Sequence, residues 1–286
     1  MIICLHHKDG DGYGSAAVVK MKYPTDEIKF IGMDYSMNLP LEQMNSDDTI
    51  IIVDFSPIEE NGFAQIQEIT DKIIWIDHHQ TAIEKHKHFD YLDGIRRIGT
   101  AACDLCWEYF FPGAYCPEVI KLLGDYDVWK FEYGDSTRNF QAGIRMEDMR
   151  PTNTKLWDLL LNDSNFVDSI INKGSIITEI NNNNWMRSLR AMGYVVNIRG
   201  TAAVACNMQA SSAGFDSLKK GLFSAMIVYN HDGKKYKVTI YSDESGPDVS
   251  VVAKEYGGGG HEHAAGFYCE NLPFKYIRKL EKEDFK

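Results

Sequence analysis

Residue types that bind metal ions follow three short apolar runs in the first 80 residues of this chain. Carboxylate oxygens, with some imidazole nitrogens, are the ligands that suit Mn²⁺ or Mg²⁺. Several carboxylates held together repel one another strongly unless cations lie between them. The pattern therefore predicts a two-metal hydrolytic centre. The three clusters are residues 7–12 (HKDGDG) after the run 2–5, Asp54 after the run 50–53, and residues 77–79 (DHH) after Ile73–Ile76.

The apolar runs that precede these clusters indicate how the clusters are brought together. Each run is short and apolar at every position, which is typical of strands buried on both faces of a parallel sheet. Residues 1–125 alternate such runs with helical patterns, so an α/β fold is predicted, with a mostly parallel sheet flanked by helices. In sheets of this kind the functional site lies at the carboxyl ends of the strands. We therefore expect the three clusters to meet at one edge.

Spacing within the clusters adds detail and leaves alternatives open. His7, Asp9 and Asp11 alternate, so in an extended segment they lie on one side, before a helix predicted over about 14–22. An Asp- and Gly-rich polar loop is the plain structural alternative. A lone Asp54 is commonly a helix cap. A further carboxylate comes from Asp125 or Asp127, and their spacing does not choose between them.

The pattern of apolar residues changes twice in the remainder of the chain. Residues 131–192 have helical spacing and are interpreted as helical cover and a connector between a domain over 1–130 and a second domain over 193–286. The second domain is predicted to be a smaller mixed α/β unit, with a hairpin turn at 230–233 and a helix at 249–256. The glycine run 257–260 exposes backbone N–H groups and permits close approach of an anion, which His261 can also contact. A flexible turn with a surface histidine is the alternative.

Overall charge and composition limit the classes of partner. The formal net charge of −11 argues against a basic surface that holds long nucleic acid. A small phosphorylated substrate is compatible with this charge, because bound metal ions add local positive charge. The chain shows neither a secretory signal nor an apolar stretch of membrane-spanning length. We therefore predict a soluble cytoplasmic protein with reduced cysteines and no membrane partner.

Taken together, five motifs in this order resemble the DHH phosphoesterase superfamily, in the branch with a C-terminal DHHA1 domain. The resemblance covers nearly the whole chain, and its short form is most similar to small nanoRNases of the B type, with RecJ-like exonucleases as further relatives. The five motifs are residues 7–12, 53–54, 77–79, 127–129 and 257–267.

This resemblance implies a role for each matching residue. The implied cofactors are two Mn²⁺ ions, with Mg²⁺ as an alternative, and Asp54 is expected to bridge them. The implied ligands are His7 and Asp9 for one ion, and Asp11, His78 and Asp127 for the other. The implied catalytic residues are Asp54 and His79, of which His79 orients the scissile phosphate or supports the metal shell. The implied contacts to a terminal phosphate or sugar are Gly258, Gly259, Gly260 and His261, so that His79 and this segment together bind the substrate.

The implied reaction is hydrolysis of short oligonucleotides or linear dinucleotides to 5′-mononucleotides by a metal-activated water. Long duplex nucleic acid is not an expected partner, and the resemblance allows a homodimer. A cyclic dinucleotide or 3′-phosphoadenosine 5′-phosphate is an alternative substrate, followed by polyphosphate and then by a non-catalytic nucleotide sensor. One departure concerns the substrate: Tyr241 stands where many DHHA1 domains have an arginine, so a bidentate phosphate contact is absent there.

Overall fold

The computed structural model describes residues 1–209, 218, 221–243 and 245–285, with the backbone alone for His261. The chain divides into two compact units, Met1–Ile177 and Thr178–Lys286. This division lies within the predicted connector, and the two predicted boundaries between segments stay predictions.

The first unit is built on a four-stranded parallel sheet in the order β2-β1-β3-β4. The predicted α/β class and parallel sheet are therefore confirmed. The strands are β1 (Ile2–His7), β2 (Ile28–Met33), β3 (Thr49–Val53) and β4 (Ile73–Ile76). The helices are α1 (Gly10–Lys22), α2 (Gly62–Gln67), α3 (Gln80–Lys85), α4 (Ala102–Phe110), α5 (Glu118–Asp127), α6 (Asp135–Ile144), α7 (Thr154–Asn162) and α8 (Ser164–Met192), the last of which extends beyond Ile177.

Burial on both faces explains the apolar runs in β1, β3 and β4. In β1, Ile3 and Leu5 belong to a core that includes Phe63 of α2. Their neighbour Cys4 belongs to the core on the opposite face, with Val19 of α1. Successive strand residues point to opposite faces, so a sheet covered on both sides needs apolar residues at every position.

The start of α1 corrects the predicted geometry of the first cluster. The strand ends at His7, and the helix begins at Gly10 rather than at residue 14. Asp9 is the N-cap, and its Oδ1 accepts a hydrogen bond of 2.9 Å from the backbone N–H of Gly12. The prediction that residues 7–11 form one extended segment was wrong, because Asp11 already lies in the first helical turn.

The helical character predicted after residue 130 is confirmed by α6, α7 and α8. The preceding helix is longer than its pattern indicated: α5 was predicted over 117–123 and extends to Asp127. Both Asp125 and Asp127 therefore lie on the last turn of α5.

The second unit contains a mixed sheet in which, within its described residues, seven strands have the order β11-β5-β6-β7-β8-β10-β9. The pair β6–β7 is parallel and the other pairs are antiparallel. Helix α9 (Val249–Glu255) packs on one face of the sheet. The strands are β5 (Tyr194–Ile198), β6 (Thr201–Asn207), β7 (Ala225–His231), β8 (Tyr236–Ser242), β9 (Gly259–His261), β10 (Ala264–Cys269) and β11 (Tyr276–Lys279).

The predicted mixed α/β character of this unit is confirmed, with local differences. The β7–β8 hairpin pairs His231 with Tyr236, so its turn lies about two residues later than predicted. The strand β9 was not predicted, because glycines carry no apolar pattern.

Candidate metal centre

The carboxyl ends of β1, β3 and β4 bring the predicted metal ligands together. The Nε2 atom of His78 lies 3.5 Å from Asp11 Oδ2, and 3.3 Å from both Asp54 Oδ1 and Asp127 Oδ2. Within the described residues, three groups place their ligand atoms within 4.8 Å of one another. The groups are His7, Asp9 and Asp54; Asp11, His78 and Asp127; and Asp54, His78 and His79.

Asp54 occupies the middle of this cluster in an unusual backbone conformation. Its φ of +52° is left-handed, a region that aspartate adopts more readily than most residues. The backbone N–H of Asp54 donates to the Ile76 carbonyl at 3.0 Å, which fixes the end of β3 against β4. Burial raises the pKa of the Asp54 carboxyl well above its usual range, and the neighbouring Asp11 carboxylate raises it further.

Two atoms in the cluster have the properties of metal-ligand atoms. Asp54 Oδ2 and His78 Nε2 are buried and have no hydrogen-bond partner among the described residues. Buried polar atoms are normally paired, so each of these atoms is costly as it stands. Burial lowers the pKa of His78, which favours the neutral imidazole that metals bind. The donor set of carboxylates and imidazoles therefore fits Mn²⁺ or Mg²⁺.

Asp11 and Asp9 are fixed by backbone groups as well as by their place in the cluster. The carboxylate of Asp11 accepts hydrogen bonds from the backbone N–H groups of Ala102 at 2.8 Å and Cys103 at 2.6 Å. It thus satisfies the first turn of α4, where the sequence alone suggests Thr100 as the cap. Asp9 Oδ2 lies 2.6 Å from His7 Nδ1, so cap and imidazole orient each other.

The structure separates the two aspartates on the last turn of α5. Asp127 lies in the cluster, with its side chain 28% exposed. Burial raises its pKa to about 8, and the Asp11 carboxylate raises it in the same direction. Asp125 instead accepts hydrogen bonds from the backbone N–H of Glu132 at 2.7 Å and from the Thr137 hydroxyl. Its carboxylate therefore holds the loop that follows α5.

His79 is oriented by a buried hydrogen-bond chain. Its Nδ1 lies 2.7 Å from Asp77 Oδ1, and this contact raises the pKa of His79. The Ser56 hydroxyl donates to Asp77 Oδ2, while the indole N–H of Trp75 donates to Ser56 at 3.0 Å. Because Asp77 engages Nδ1, Nε2 is the ring nitrogen that stays available to other groups.

The sequence analysis did not predict a role for three side chains beside the cluster. These are Tyr35, Ser56 and the hydrogen-bond acceptor Asp77. The ring of Tyr35 lies 5.5 Å from that of His7 and 6.3 Å from that of His79. Burial raises the pKa of its hydroxyl, and the nearby carboxylate of Asp77 raises it further. Tyr35 and Ser56 each follow a strand by two or three residues, so their positions at carboxyl ends were an available signal.

The predicted substrate glycines lie in the second unit and differ from one another. A Cβ atom on Gly258 would lie 2.1 Å from the Gly266 carbonyl oxygen. Gly260 has a φ of +144°, and its Cβ would lie 2.5 Å from the Ala264 carbonyl oxygen. A Cβ on Gly259 would meet no described atom within 4 Å. Strand packing thus accounts for the first and last glycine but not for the middle one, and the side chain of His261 lies outside the described residues.

These glycines border a surface cavity of about 490 Å³ in the second unit. Besides the glycines 257–259, it is lined by side chains that include Lys237, Thr239, Tyr256 and Tyr268. The cavity combines a cation, a hydroxyl and aromatic rings with exposed backbone, a set of groups able to contact a phosphorylated ligand.

Comparison with known proteins gives two family matches that follow the division of the fold. Residues 1–118 match the model of the DHH family, N-terminal domain, and residues 197–284 match the model of the DHHA1 domain. A curated relative, the oligoribonuclease NrnB of Bacillus subtilis (strain 168), is 24% identical over 91% of this chain and 71% of its own length.

Solved structures show the same fold at lower sequence identity. The pGpG-specific phosphodiesterase PggH of Vibrio cholerae has a TM-score of 0.56 at 13% identity, covering 94% of each chain. The exonuclease RecJ bound to manganese has a TM-score of 0.52 at 12% identity, covering 94% of this chain and 85% of its own. In the part of the chain that the structure describes, no helix is both long and apolar enough to cross a membrane. The two family matches and the shared fold place this chain in the DHH superfamily of metal-dependent phosphoesterases, in the branch that carries a DHHA1 domain.

Proposed function

We propose that this protein is a two-metal phosphodiesterase that hydrolyses short oligonucleotides or linear dinucleotides to 5′-mononucleotides. The observation that carries the proposal is a pair of buried atoms at the centre of a carboxylate cluster, Asp54 Oδ2 and His78 Nε2. Neither has a hydrogen-bond partner in the part of the chain that the structure describes. The oligoribonuclease activity named for NrnB and the pGpG specificity named for PggH support a short nucleotide substrate.

The ligand groups support an assignment of ligands to each of two Mn²⁺ ions, for which Mg²⁺ is the alternative. When bound, two such cations lower the pKa of a water and offset the charge of the non-bridging phosphate oxygens. We assign one ion to His7 and Asp9 and the other to Asp11, His78 and Asp127. Asp54 shares a group with His7 and Asp9, and its Oδ1 lies 3.3 Å from His78 Nε2 of the other group, so we assign this two-oxygen ligand to bridge the two sites.

The remaining residues of the site are assigned to substrate positioning. Asp77 raises the pKa of His79, which enlarges the protonated fraction of its imidazole at neutral pH. We assign the protonated form of His79 the role of donating from Nε2 to a non-bridging oxygen of the scissile phosphate. In the second unit, the proposed contacts to a terminal phosphate or sugar are Gly258, Gly259, Gly260 and His261.

The alternative substrates share this centre and differ in the shape of the ligand. A cyclic dinucleotide, 3′-phosphoadenosine 5′-phosphate and polyphosphate each stay open, as does a sensor that binds a nucleotide without turnover. The predicted cytoplasmic location and the homodimer also stay predictions.

A substrate panel tests the proposal. Purified protein with Mn²⁺ is incubated with a linear dinucleotide, a cyclic dinucleotide, a five-residue RNA, 3′-phosphoadenosine 5′-phosphate and polyphosphate, with Asp54→Asn as the control. We expect mononucleotide to form first from the linear dinucleotide. Turnover of only another compound would replace the substrate assignment, and a folded, metal-bound protein that leaves the whole panel intact would overturn the enzymatic proposal.

A further inference from the structure

A group of three aromatic rings lies at the end of α5 and in the loop after it, next in sequence to Asp127 of the candidate metal centre. We name it the aromatic platform: Tyr126, Trp129 and Phe131. The ring centroids of Trp129 and Phe131 lie 4.8 Å apart, and those of Tyr126 and Trp129 lie 5.3 Å apart. Trp129 is 57% exposed although it is the largest residue of the group. Tyr126 and Phe131 are half-buried, so the Trp129 ring forms most of the exposed face of the group. A large exposed aromatic ring packed beside others is a feature of binding surfaces.

The backbone presents these rings in a conformation that bulky side chains rarely adopt. Trp129 has a φ of +58° and Phe131 a φ of +54°. The buried carboxylate of Asp125 holds the loop through the backbone N–H of Glu132, and the Asp125 carbonyl accepts from Lys130 N–H at 3.1 Å. Two left-handed residues kept in place by a buried anchor, with the indole left in solvent, favour a role in binding over a role in the core.

Two arginines surround the platform with positive charge. The guanidinium of Arg138 lies 4.5 Å from the Phe131 ring centroid, and its Nη1 lies 3.8 Å from Asp135. The guanidinium of Arg145 lies 5.9 Å from the Tyr126 ring, and its Nη2 donates to the Tyr126 hydroxyl at 3.3 Å. In a chain of net charge −11, this combination of aromatic faces and cations matches the base and phosphate of a nucleotide.

The position of Trp129 in the sequence determines which nucleotide it can reach. Trp129 follows Asp127 by two residues, and Asp127 lies 3.3 Å from His78 in the candidate metal centre. Two residues span at most about 7 Å of extended chain, so the platform begins beside the position assigned to the scissile phosphate. Base and phosphate of one nucleotide are separated by a single sugar, which is a comparable length.

Building on the proposed function, we propose that the aromatic platform stacks on a nucleobase of the substrate, with Trp129 as the specificity-determining residue. The platform would favour nucleotides over base-free phosphate chains, because every nucleobase offers a face for stacking and inorganic phosphates offer none. Arg138 and Arg145 would add attraction for a neighbouring phosphate.

The test compares Trp129→Ala and Trp129→Phe with wild type, using the full chain with Mn²⁺. The substrates are a linear dinucleotide and versions of it that lack one base or the other. For the dinucleotide we expect Trp129→Ala to raise KM on the order of tenfold, with kcat little changed, and Trp129→Phe to restore most of the binding. For the version that lacks the stacked base, wild type and Trp129→Ala should behave alike.

A matched control is available in Tyr115, which is 81% exposed and lies beneath the ammonium of Lys121 at 4.1 Å. Tyr115 precedes the first residue of α5, whereas Asp127 is its last, so the ten-residue helix separates them by roughly 15 Å. Tyr115→Ala removes an exposed aromatic ring with a cation partner and should leave KM unchanged.

Different failures have different meanings. Equal losses of Trp129→Ala on the dinucleotide and on both base-free versions, or no loss on any, would overturn the platform while turnover by wild type upholds the proposed function. If wild type hydrolyses neither the dinucleotide nor the five-residue RNA, the proposed function fails, and calorimetric binding of the dinucleotide then decides the platform. A weaker Kd for Trp129→Ala supports the platform in that case, and an unchanged Kd overturns it.

Discussion

The two sheets of this protein end in opposite kinds of surface. The parallel sheet of the first unit leads into buried charge: Asp11, Asp54 and Asp77 are each 2% exposed or less. The mixed sheet of the second unit ends in β9, whose glycines offer backbone and space instead of side chains. Repulsion between carboxylates limits which substitutions the first unit tolerates, and the space around the backbone limits which substitutions the second unit tolerates. Substitutions should therefore disrupt the first by changing charge and the second by adding atoms.

The largest expected effect is that of Asp54→Asn in the first unit. We expect kcat to fall by roughly 10³-fold, about 4 kcal/mol of barrier, because the proposed bridging oxygen loses its charge. The same change should raise the thermal unfolding temperature of the metal-free protein, since it removes a buried carboxylate from among Asp9, Asp11 and Asp127. Initial rates and thermal unfolding with and without Mn²⁺ measure both effects.

The control for this substitution is Asp71→Asn, which removes an exposed carboxylate outside the cluster. It should change neither the rate nor the response to Mn²⁺. An Asp54→Asn protein that keeps full activity would rule out Asp54 as a metal bridge.

The largest effect expected in the second unit is steric. Gly260→Ala places a Cβ 2.5 Å from the Ala264 carbonyl oxygen at a φ of +144°. We expect the free energy of unfolding of the second unit to fall by roughly 1–3 kcal/mol, through backbone strain and displacement of β10. Urea unfolding measures this change, and a wild-type midpoint would show that the strand pair adjusts freely.

Without metal ions, repulsion among the carboxylates of the first unit should make the free energy of unfolding depend on pH. Burial raises the pKa of Asp127 to about 8 and that of Asp104 to about 7. The folded state then binds these protons more tightly than the unfolded state, whose carboxyls titrate near pH 4. The free energy of unfolding should therefore fall as the pH rises from about 4 to about 8.

Urea unfolding in a chelator across this range gives the measurement. Saturating Mn²⁺ should flatten the curve, because it replaces protons as the source of positive charge. A metal-free protein whose stability rises with pH over the same range would contradict the proposed repulsion.

The same contrast explains what the sequence could predict. The strand β4 was predicted with its observed bounds, because continuous apolar runs identify strands that are buried on both faces. The three clusters that follow the apolar runs were expected at one edge on the same grounds, and the structure brings His7, Asp9, Asp11, Asp54 and His78 together. The strand β9 gave no such signal, since three consecutive residues of little side-chain volume fit a turn equally well.

The structure also differs from the predictions where the hydrogen-bond partner of a residue lies far along the chain. Asp11 satisfies the start of α4 about 90 residues later, so Thr100 was a reasonable but incorrect cap from local sequence alone. Asp125 and Asp127 differ only by the direction of their side chains on one helical turn. The structure distinguishes their roles, because the Asp125 carboxylate accepts a hydrogen bond from the Thr137 hydroxyl.

A smaller effect tests whether the hydrogen bonds that orient the carboxylate of Asp77 contribute to activity. Ser56→Ala removes the hydroxyl between Trp75 and Asp77, and leaves the indole N–H without its acceptor. We expect kcat/KM to fall about tenfold, the equivalent of one hydrogen bond of roughly 1.4 kcal/mol. Ser56→Thr keeps the hydroxyl and should recover most of the rate, whereas equal losses in both variants would indicate a packing role alone.

The smallest effect distinguishes substrate contact from strand packing in the second unit. A Cβ on Gly259 meets no described atom within 4 Å, so Gly259→Ala should leave the urea midpoint unchanged. If the backbone there approaches a phosphate, the added methyl group should raise KM for the dinucleotide by a few-fold with kcat unaltered, because close approach depends on the missing side chain. Gly260→Ala, by contrast, should change stability whether or not substrate binds there. An unchanged KM for a stable Gly259→Ala protein would remove this glycine from the substrate site, and would leave β9 as a strand whose glycines serve packing alone.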